Sequence, residues 1–301
     1  QLVLEKKLKK DKLHIHWYPG HIAKAERALK EKLNLVDVVV EVLDARLPIS
    51  SSYDDIKKLL GDKPRLLLLN KTDLVSPEEL KSWVELLKKK TGCPVLTIDT
   101  KTNRNFNIIE KKVIELSEPR IQALMQKGLL RRASRVVVVG LPNVGKSSII
   151  NKLTKSSKTK TGAKAGVTRQ QQWVRINPNI DLLDTPGIIP MKQENQQRAK
   201  KLAFVNSVSE NAYSSEIVAK ELIDLISKNE RYTNKFKEYY NIDKNIDLTI
   251  ESIATSRNWV SRGNEPDTER TSQYMLRDFR DGKIGKFILD NLEDVTEDTV
   301  L

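Results

Sequence analysis

Cysteine is almost missing from this chain of 301 residues. Cys93 stands alone, which excludes an internal disulfide and a cysteine zinc site and fits a reducing compartment. Long apolar runs are missing as well: no stretch approaches the roughly 18–20 residues that a membrane-spanning helix requires, so no membrane partner is expected. There is no internal repeat, and low complexity is confined to short lysine runs such as Lys88-Lys89-Lys90. Acidic residues vanish where the chain is most basic. Between Asn151 and Ile180 stand Lys152, Lys155, Lys158, Lys160, Lys164, Arg169 and Arg175, with no Asp or Glu. The first residue is Gln1 rather than Met, so a processed start and a lost targeting segment are compatible with the sequence. The Lys-rich opening, Lys6 to Lys12, lacks the apolar stretch of a secretory signal.

What is present suffices for folding. Hydrophobic residues make up 39% of the chain, enough for a core and against global disorder. The length allows two domains. The net charge of +13 is unevenly spread. Residues 1–193 carry 37 Lys+Arg against 20 Asp+Glu, a net of +17, whereas residues 194–301 carry 16 against 20, a net of −4. Such asymmetry points to a polyanionic partner, and RNA is the usual one. The acid-free stretch 151–180 reads either as a solvated basic loop or as a switch segment that folds against RNA phosphates.

Periodicity predicts strands alternating with helices in the first two thirds. Ile22, Ala25, Leu29 and Leu33 mark an amphipathic helix from His21 to Leu35. Val36 to Leu43, Arg65 to Leu69, Pro94 to Ile98 and Arg135 to Val139 are short β-rich runs, and Gln172 to Ile176 with Ile180 to Leu183 read as paired strands about an Asn-Pro-Asn turn. Helices are expected over Pro77 to Lys90 (Ser76 as N-cap), Ile108 to Ser117 and Ser147 to Leu153. The alternation implies a mostly parallel sheet covered on both faces. After about residue 193 the β-branched runs disappear and Ile217 to Ile226 is helical, so a domain of 1–192 is expected to precede a mainly helical one of 193–301.

Three short motifs carry the chemistry. Gly140-Leu141-Pro142-Asn143-Val144-Gly145-Lys146-Ser147 fits the phosphate-loop pattern, strand before and helix after. Its glycines let backbone N–H groups converge on phosphate, the helix adds its dipole, Lys146 reaches the β- and γ-phosphates and Ser147 offers a hydroxyl to Mg²⁺. Asn143, Val144, Gly145, Lys146, Ser147 and Ser148 are thus expected to line the nucleotide. Asp184-Thr185-Pro186-Gly187 follows at the distance usual for the second metal-side motif, with Asp184 acting on Mg²⁺ and Gly187 offering its N–H to the γ-phosphate. Thr168 lies between the two and can add its hydroxyl to the metal in the GTP state. Asn70-Lys71-Thr72-Asp73 reads the base. A carboxylate at Asp73 accepts two hydrogen bonds from guanine and would be left unpaired by adenine, which argues against an ATP-using kinase. Asn70 is expected to brace the neighbouring loops, Lys71 to lay its stem along the ring, and Thr100-Lys101-Thr102 to form a further base loop.

The order is unusual, because the base reader precedes the phosphate loop. The expected fold class is therefore α/β, a circularly permuted Ras-like P-loop GTPase domain with a C-terminal mainly α-helical domain, binding GTP and GDP with Mg²⁺. The chain resembles the YlqF/RbgA family of permuted GTPases. The residues that carry the likeness are Trp17-Tyr18-Pro19-Gly20-His21-Ile22-Ala23-Lys24-Ala25, the three motifs above, Gly166-Val167-Thr168-Arg169 with Gln172-Trp173-Val174, and Phe279-Arg280-Asp281-Gly282-Lys283-Ile284-Gly285-Lys286. The resemblance implies slow intrinsic GTP hydrolysis stimulated by ribosomal particles, assembly of the large ribosomal subunit, and contact with rRNA through the helical domain. It also implies K⁺ held near Asn143. A cytoplasmic, ribosome-associated monomer is expected, or a plastid or mitochondrial one if a transit peptide has been removed.

Where Ras-like enzymes place a water-orienting glutamine, Ile188 stands here and cannot hydrogen-bond. The resemblance points instead to His21 as the group that orients water, together with Thr168 and Lys146 as catalytic residues. Packing within its own helix is the alternative for His21, and surface positions are expected for His14 and His16. Candidates for RNA contact are Arg257, Trp259, Arg262, Arg270, Arg277, Arg280, Lys283 and Lys286. Two other functions remain open from sequence: a permuted GTPase of the small subunit, and an RNA-binding scaffold with negligible hydrolysis.

Overall fold

The computed structural model describes residues 19–53, 56–161, 173–188, 195–210, 213–297, 299 and 301, with backbone alone at 19–22, 156–161 and 188. Two compact units emerge, Tyr18–Met191 with Asp290–Leu301, and Lys192–Leu289. His14, His16 and Thr168 lie outside the described residues, as do Gly166 to Arg169 and the side chains of His21 and Ile188.

The first unit is built on one sheet. Its elements in chain order are α1 (Pro19–Asn34), β1 (Val38–Asp44), α2 (Ile56–Leu60), β2 (Arg65–Asn70), α3 (Pro77–Thr91), β3 (Val95–Thr97), α4 (Phe106–Gln126), β4 (Ser134–Gly140), α5 (Lys146–Thr161), β5 (Trp173–Asn177), β6 (Ile180–Leu183) and β7 (Gly187–Ile188). The strand order is β3-β2-β1-β4-β6-β5, with β7 pairing with β4. All pairs are parallel except the β5–β6 hairpin. Every residue of β1 and β2 is buried, as a parallel strand covered on both faces requires, so the two are mainly apolar, and the Glu41 that interrupts β1 pairs with Arg65 of β2 at 3.2 Å.

Register decides where the site forms. Asp44 at the end of β1 lies opposite Asn70 at the end of β2, and Val42 of β1 lies opposite Gly140 at the end of β4. The carboxyl ends of three strands from distant parts of the chain therefore adjoin, and that is where open parallel sheets bind ligands.

Two local expectations shift. The helix expected over Ile108 to Ser117 runs from Phe106 to Gln126, straight through Pro119. Ile109, Val113, Ser117 and Ile121 recur every fourth residue and are all buried, so packing of this ridge outweighs the hydrogen bond that proline removes. Ser76 sits at the N-cap of α3, but its hydroxyl bonds Glu78 rather than a helix N–H.

The second unit holds α6 (Gln196–Phe204), α7 (Ser215–Ile226), α8 (Glu230–Tyr240), α9 (Ile250–Ser256) and α10 (Thr268–Arg280). Its core gathers Leu222, Phe236, Met275, Phe279 and Phe287, with Phe236 and Phe287 rings 5.4 Å apart. Arg280, a candidate for RNA contact from sequence, has a structural position instead. Its guanidinium donates to the carbonyls of Ala203 and Phe204, to the Tyr213 hydroxyl and to Glu210, closing the C-terminal end of α6.

Candidate functional site

β4 ends at Gly140, and the chain turns through residues 141–145 into α5. A Cβ at Gly140 would stand 2.9 Å from both the Val42 carbonyl oxygen and Val144 Cγ2. Gly145 adopts φ +106°, and a Cβ there would meet Asn70 Nδ2 at 2.2 Å. The two glycines are thus fixed by backbone geometry and by close approach. Ser147 and Ser148 are exposed at the start of α5, whose first turn has no acidic residue.

Lys146 is only 7% exposed, and its Nζ donates to the Leu141 carbonyl of its own loop. Burial pushes its pKa down to about 8. No carboxylate pairs with it among the described residues. A buried cation beside a helix N-terminus is a seat for an anion.

The base-reading loop reaches into this seat. Asn70, 1% exposed, donates from Nδ2 to the Val144 carbonyl at 2.9 Å, and its Oδ1 is buried with no hydrogen-bond partner among the described residues. Lys71 takes the left-handed conformation (φ 64°) and donates from Nζ to the Asn143 carbonyl at 2.7 Å. The bracing expected of Asn70 is therefore a hydrogen bond between segments 74 residues apart. Asp73 lies in the short 3-10 turn Thr72–Leu74, and Thr72 donates to the Ile98 carbonyl at 3.1 Å, tying this turn to the end of β3. Asp73 pairs with Lys101 Nζ at 2.7 Å, so the loop of Thr100, Lys101 and Thr102 does stand beside the base reader.

Sequence reading missed one constellation. Asp44 is wholly buried at the end of β1. It accepts from Arg46 Nη2 at 2.7 Å, from Arg46 Nε and backbone N at 3.0 Å, and lies 3.5 Å from Lys71 Nζ. Burial pushes the Asp44 carboxyl up, but the Arg46 guanidinium, its hydrogen bonds and Lys71 together outweigh it, and the pKa falls to about 2. Asp44 thus orients Lys71, which in turn holds the phosphate loop. The available signal was an acid closing a buried parallel strand and followed two residues later by arginine.

On the other side, β7 brings Gly187 against β4, with Gly187 opposite Val139. A Cβ on Gly187 would lie 2.8 Å from Val139 Cγ1 and 2.9 Å from Leu29 Cδ1. Leu29 belongs to α1, and Lys32 of the same helix donates from Nζ to the Pro186 carbonyl at 2.7 Å. Burial lowers the Lys32 pKa while the charge of half-buried Asp184 opposes it, and α1 meets the turn at Pro186 and Gly187. His21 lies in the first turn of that helix, eight residues before Leu29, or about 12 Å along the axis.

No helix among the described residues is long and apolar enough to cross a membrane. Residues 135–253 match the family model described as "50S ribosome-binding GTPase". The chain is 36% identical to ribosome biogenesis GTPase A of Bacillus cereus, over 94% of this chain and 96% of that one. It is 32% identical to ribosome biogenesis GTPase A of Thermotoga maritima, over 93% and 95%. A solved structure of GNP-bound YlqF from T. maritima superimposes with a TM-score of 0.61 at 29% identity, covering 90% of this chain and all of that one. With motifs, strand order and relatives in agreement along nearly its full length, the chain belongs to the ribosome biogenesis GTPase A family and is a GTP-hydrolysing enzyme of permuted P-loop architecture.

Proposed function

We propose that this GTPase acts in the cytoplasm on the maturing large ribosomal subunit, gripping rRNA in one nucleotide state and releasing it in the other. The observation that carries this reading is the pair of bonds from Asn70 and Lys71 to the phosphate loop, because they make base and phosphate recognition one unit. The description of the matching model as 50S ribosome-binding and the excess of +17 over residues 1–193 favour the large subunit and RNA. In this reading residues 1–192 hydrolyse GTP and the helical part, 193–301, contributes RNA contact.

Each residue has a role that its chemistry suits. Asp73 accepts from guanine, and Lys101 must leave its carboxylate first. Lys146 neutralises charge on the β- and γ-phosphates, and Gly187 offers its N–H to the γ-phosphate. Ser147, Thr168 and Asp184 would hold Mg²⁺. Two of them are described, an exposed hydroxyl opening α5 and a half-buried carboxylate closing β6, and hard oxygen donors of this kind suit that ion. When bound, Mg²⁺ supplies charge neutralisation across the phosphates. Asn143 would help hold K⁺. His21 orients the attacking water, since Ile188 cannot, and α1 brings its helix against the Asp184 to Gly187 turn.

The test is GTP turnover with isolated large and small subunits, in K⁺ and in Na⁺ buffers, for the full chain and for His21→Ala. Large subunits should raise turnover at least about tenfold, and His21→Ala should remove most of that rise while leaving GTP affinity within about twofold. Stimulation by small subunits alone would redirect the assignment. Intact stimulation in His21→Ala would remove the histidine from the mechanism.

A further inference from the structure

We propose that the solvent face of α9 and α10 is a stacking platform for unpaired RNA bases, formed by Arg257, Trp259, Arg270, Tyr274 and Arg277. It rests on the reading that this protein contacts RNA, and it names which RNA feature is held and by what chemistry.

α10 divides sharply. Thr271, Ser272, Met275, Leu276 and Phe279 are buried, while Arg270, Gln273 and Arg277 are exposed and Tyr274 is half-buried between them. Arg270 and Arg277 both lie over the Tyr274 ring, their guanidinium carbons 5.3 and 5.5 Å from its centre. Tyr274 meets Trp259 edge-to-face at 5.0 Å, and Trp259 meets Tyr240 at 6.5 Å. Arg257, at the C-terminal end of α9, covers Tyr239 and Tyr240 at 5.1 and 5.2 Å and donates to the Tyr239 carbonyl. A chain of aromatic contacts, Tyr240 to Trp259 to Tyr274, thus runs between Arg257 at one end and Arg270 with Arg277 at the other.

These three guanidinium groups rest on rings rather than on carboxylates. Arg257, Arg270 and Arg277 form no ion pair with an acidic side chain among the described residues, in contrast to Arg280. Each guanidinium carbon lies over a ring, an arrangement worth about 0.5–1 kcal/mol at an exposed site. The face left to solvent is planar, cationic and already ordered, so little rotamer entropy remains to be lost on binding.

Such a surface selects for open bases. A-form duplex hides its base faces and offers phosphates and 2′-hydroxyls, whereas loops and bulges offer bases that stack on aromatic rings and guanidinium planes. A duplex would need a broad basic field. Residues 194–301 carry a net of −4, and Glu216, Glu221, Asp224 and Glu251, against the single cation Lys220, line a groove between α7, α9 and the start of α10. That groove repels a backbone, whereas along the strip stacking supplies about 1–3 kcal/mol per base.

The test uses the full chain and three fluorescent probes: an unstructured RNA 12-mer, a hairpin with a stem of similar length, and an acidic peptide. Its variants are Arg270→Gln/Arg277→Gln, Tyr274→Leu, and Arg270→Lys/Arg277→Lys, each checked for an unchanged melting temperature. The double Gln variant and Tyr274→Leu should each weaken 12-mer binding about tenfold or more and leave the hairpin, held by the basic GTPase unit, within about twofold. The Lys variant keeps charge but loses the planar faces, so it should resemble the Gln variant. Full retention of 12-mer affinity in the Lys variant would mean simple charge attraction and overturn the proposal. So would equal losses for hairpin and 12-mer, or a loss confined to the peptide. Stimulation of wild-type turnover by large subunits is read separately: the platform can fail while stimulation stands, and stimulation can fail while the 12-mer binds the strip.

Discussion

At the scale of single residues, Lys146 gives the sharpest expectation. An unfolded lysine titrates near 10.5, and burial holds this one at about 8. Because its folded pKa is depressed, the charged form is disfavoured: the cost to the free protein is full below about pH 8 and fades as pH rises from there towards 10.5. A polyphosphate beside Nζ reverses the preference, so GDP binding must take up a proton at about pH 8.5 and almost none at about pH 7. Calorimetry in two buffers of different ionisation enthalpy reads this directly, and equal heats in both at the higher pH would contradict it. Gly145 gives a second. In Gly145→Ala the new methyl would enter the space of Asn70 Nδ2 at a φ of +106°, a strain of about 1–3 kcal/mol. Guanine nucleotide affinity should fall about tenfold and the melting temperature by several degrees, and unchanged affinity would show that the Asn70 bond does not shape the loop. Lys146 and Gly145 were legible in the sequence because their chemistry dictates a fixed local spacing. Asp44 and Arg46 were not, because their meaning depends on β2 and β4 lying beside β1.

At the scale of elements, the helix that opens the described chain packs on the Asp184 to Gly187 turn. Permutation places α1 early in the sequence and against the last motif in space, through Leu29 on Gly187 and Lys32 on Pro186. Lys32→Met keeps the aliphatic stem and removes the bond, so stability should drop by only about 1 kcal/mol. The Asp184 to Gly187 turn would then be less firmly held, and single-turnover hydrolysis should slow several-fold at unchanged GTP affinity. A loss of affinity with normal single-turnover rate would assign Lys32 to nucleotide binding instead. The apolar spacing of α1, the β-branched runs of β1 and β4 and the leucine run of β2 were readable, since burial writes period and composition into them. The extent of α4 was not, because Pro119 signals a stop that only the packed ridge of Ile109, Val113, Ser117 and Ile121 overrides.

At the scale of the whole molecule, motif order alone announced the permutation, and the strand order β3-β2-β1-β4-β6-β5 is its spatial counterpart. What no periodicity announced is the return of the chain. Residues Asp290–Leu301 group with the GTPase unit, so the helical unit is joined to it at both ends. The return is anchored by Asp290, whose carboxylate accepts from the backbone N–H groups of Ile49 and Ser50 at 2.9 Å and from the Ser50 hydroxyl at 2.5 Å. The anchored loop also holds Ser51, which accepts from the Asp44 backbone N–H. From Asp44 the contacts continue to Lys71 and on to Asn143. The chain therefore leaves the GTPase unit after the Asp184 to Gly187 turn and re-enters it at Asp290, beside the loop behind the base reader. Asp290→Ala leaves two partly buried N–H groups without an acceptor, a loss of about 1–3 kcal/mol. Asp290→Asn keeps one acceptor oxygen and should lose less. If the clasp also steadies Lys71, GDP dissociation should quicken in the same rank order, Ala above Asn above wild type. Faster dissociation without a lower melting temperature would place the effect in the site alone, and a lower melting temperature with unchanged dissociation would make the clasp a purely structural fastening.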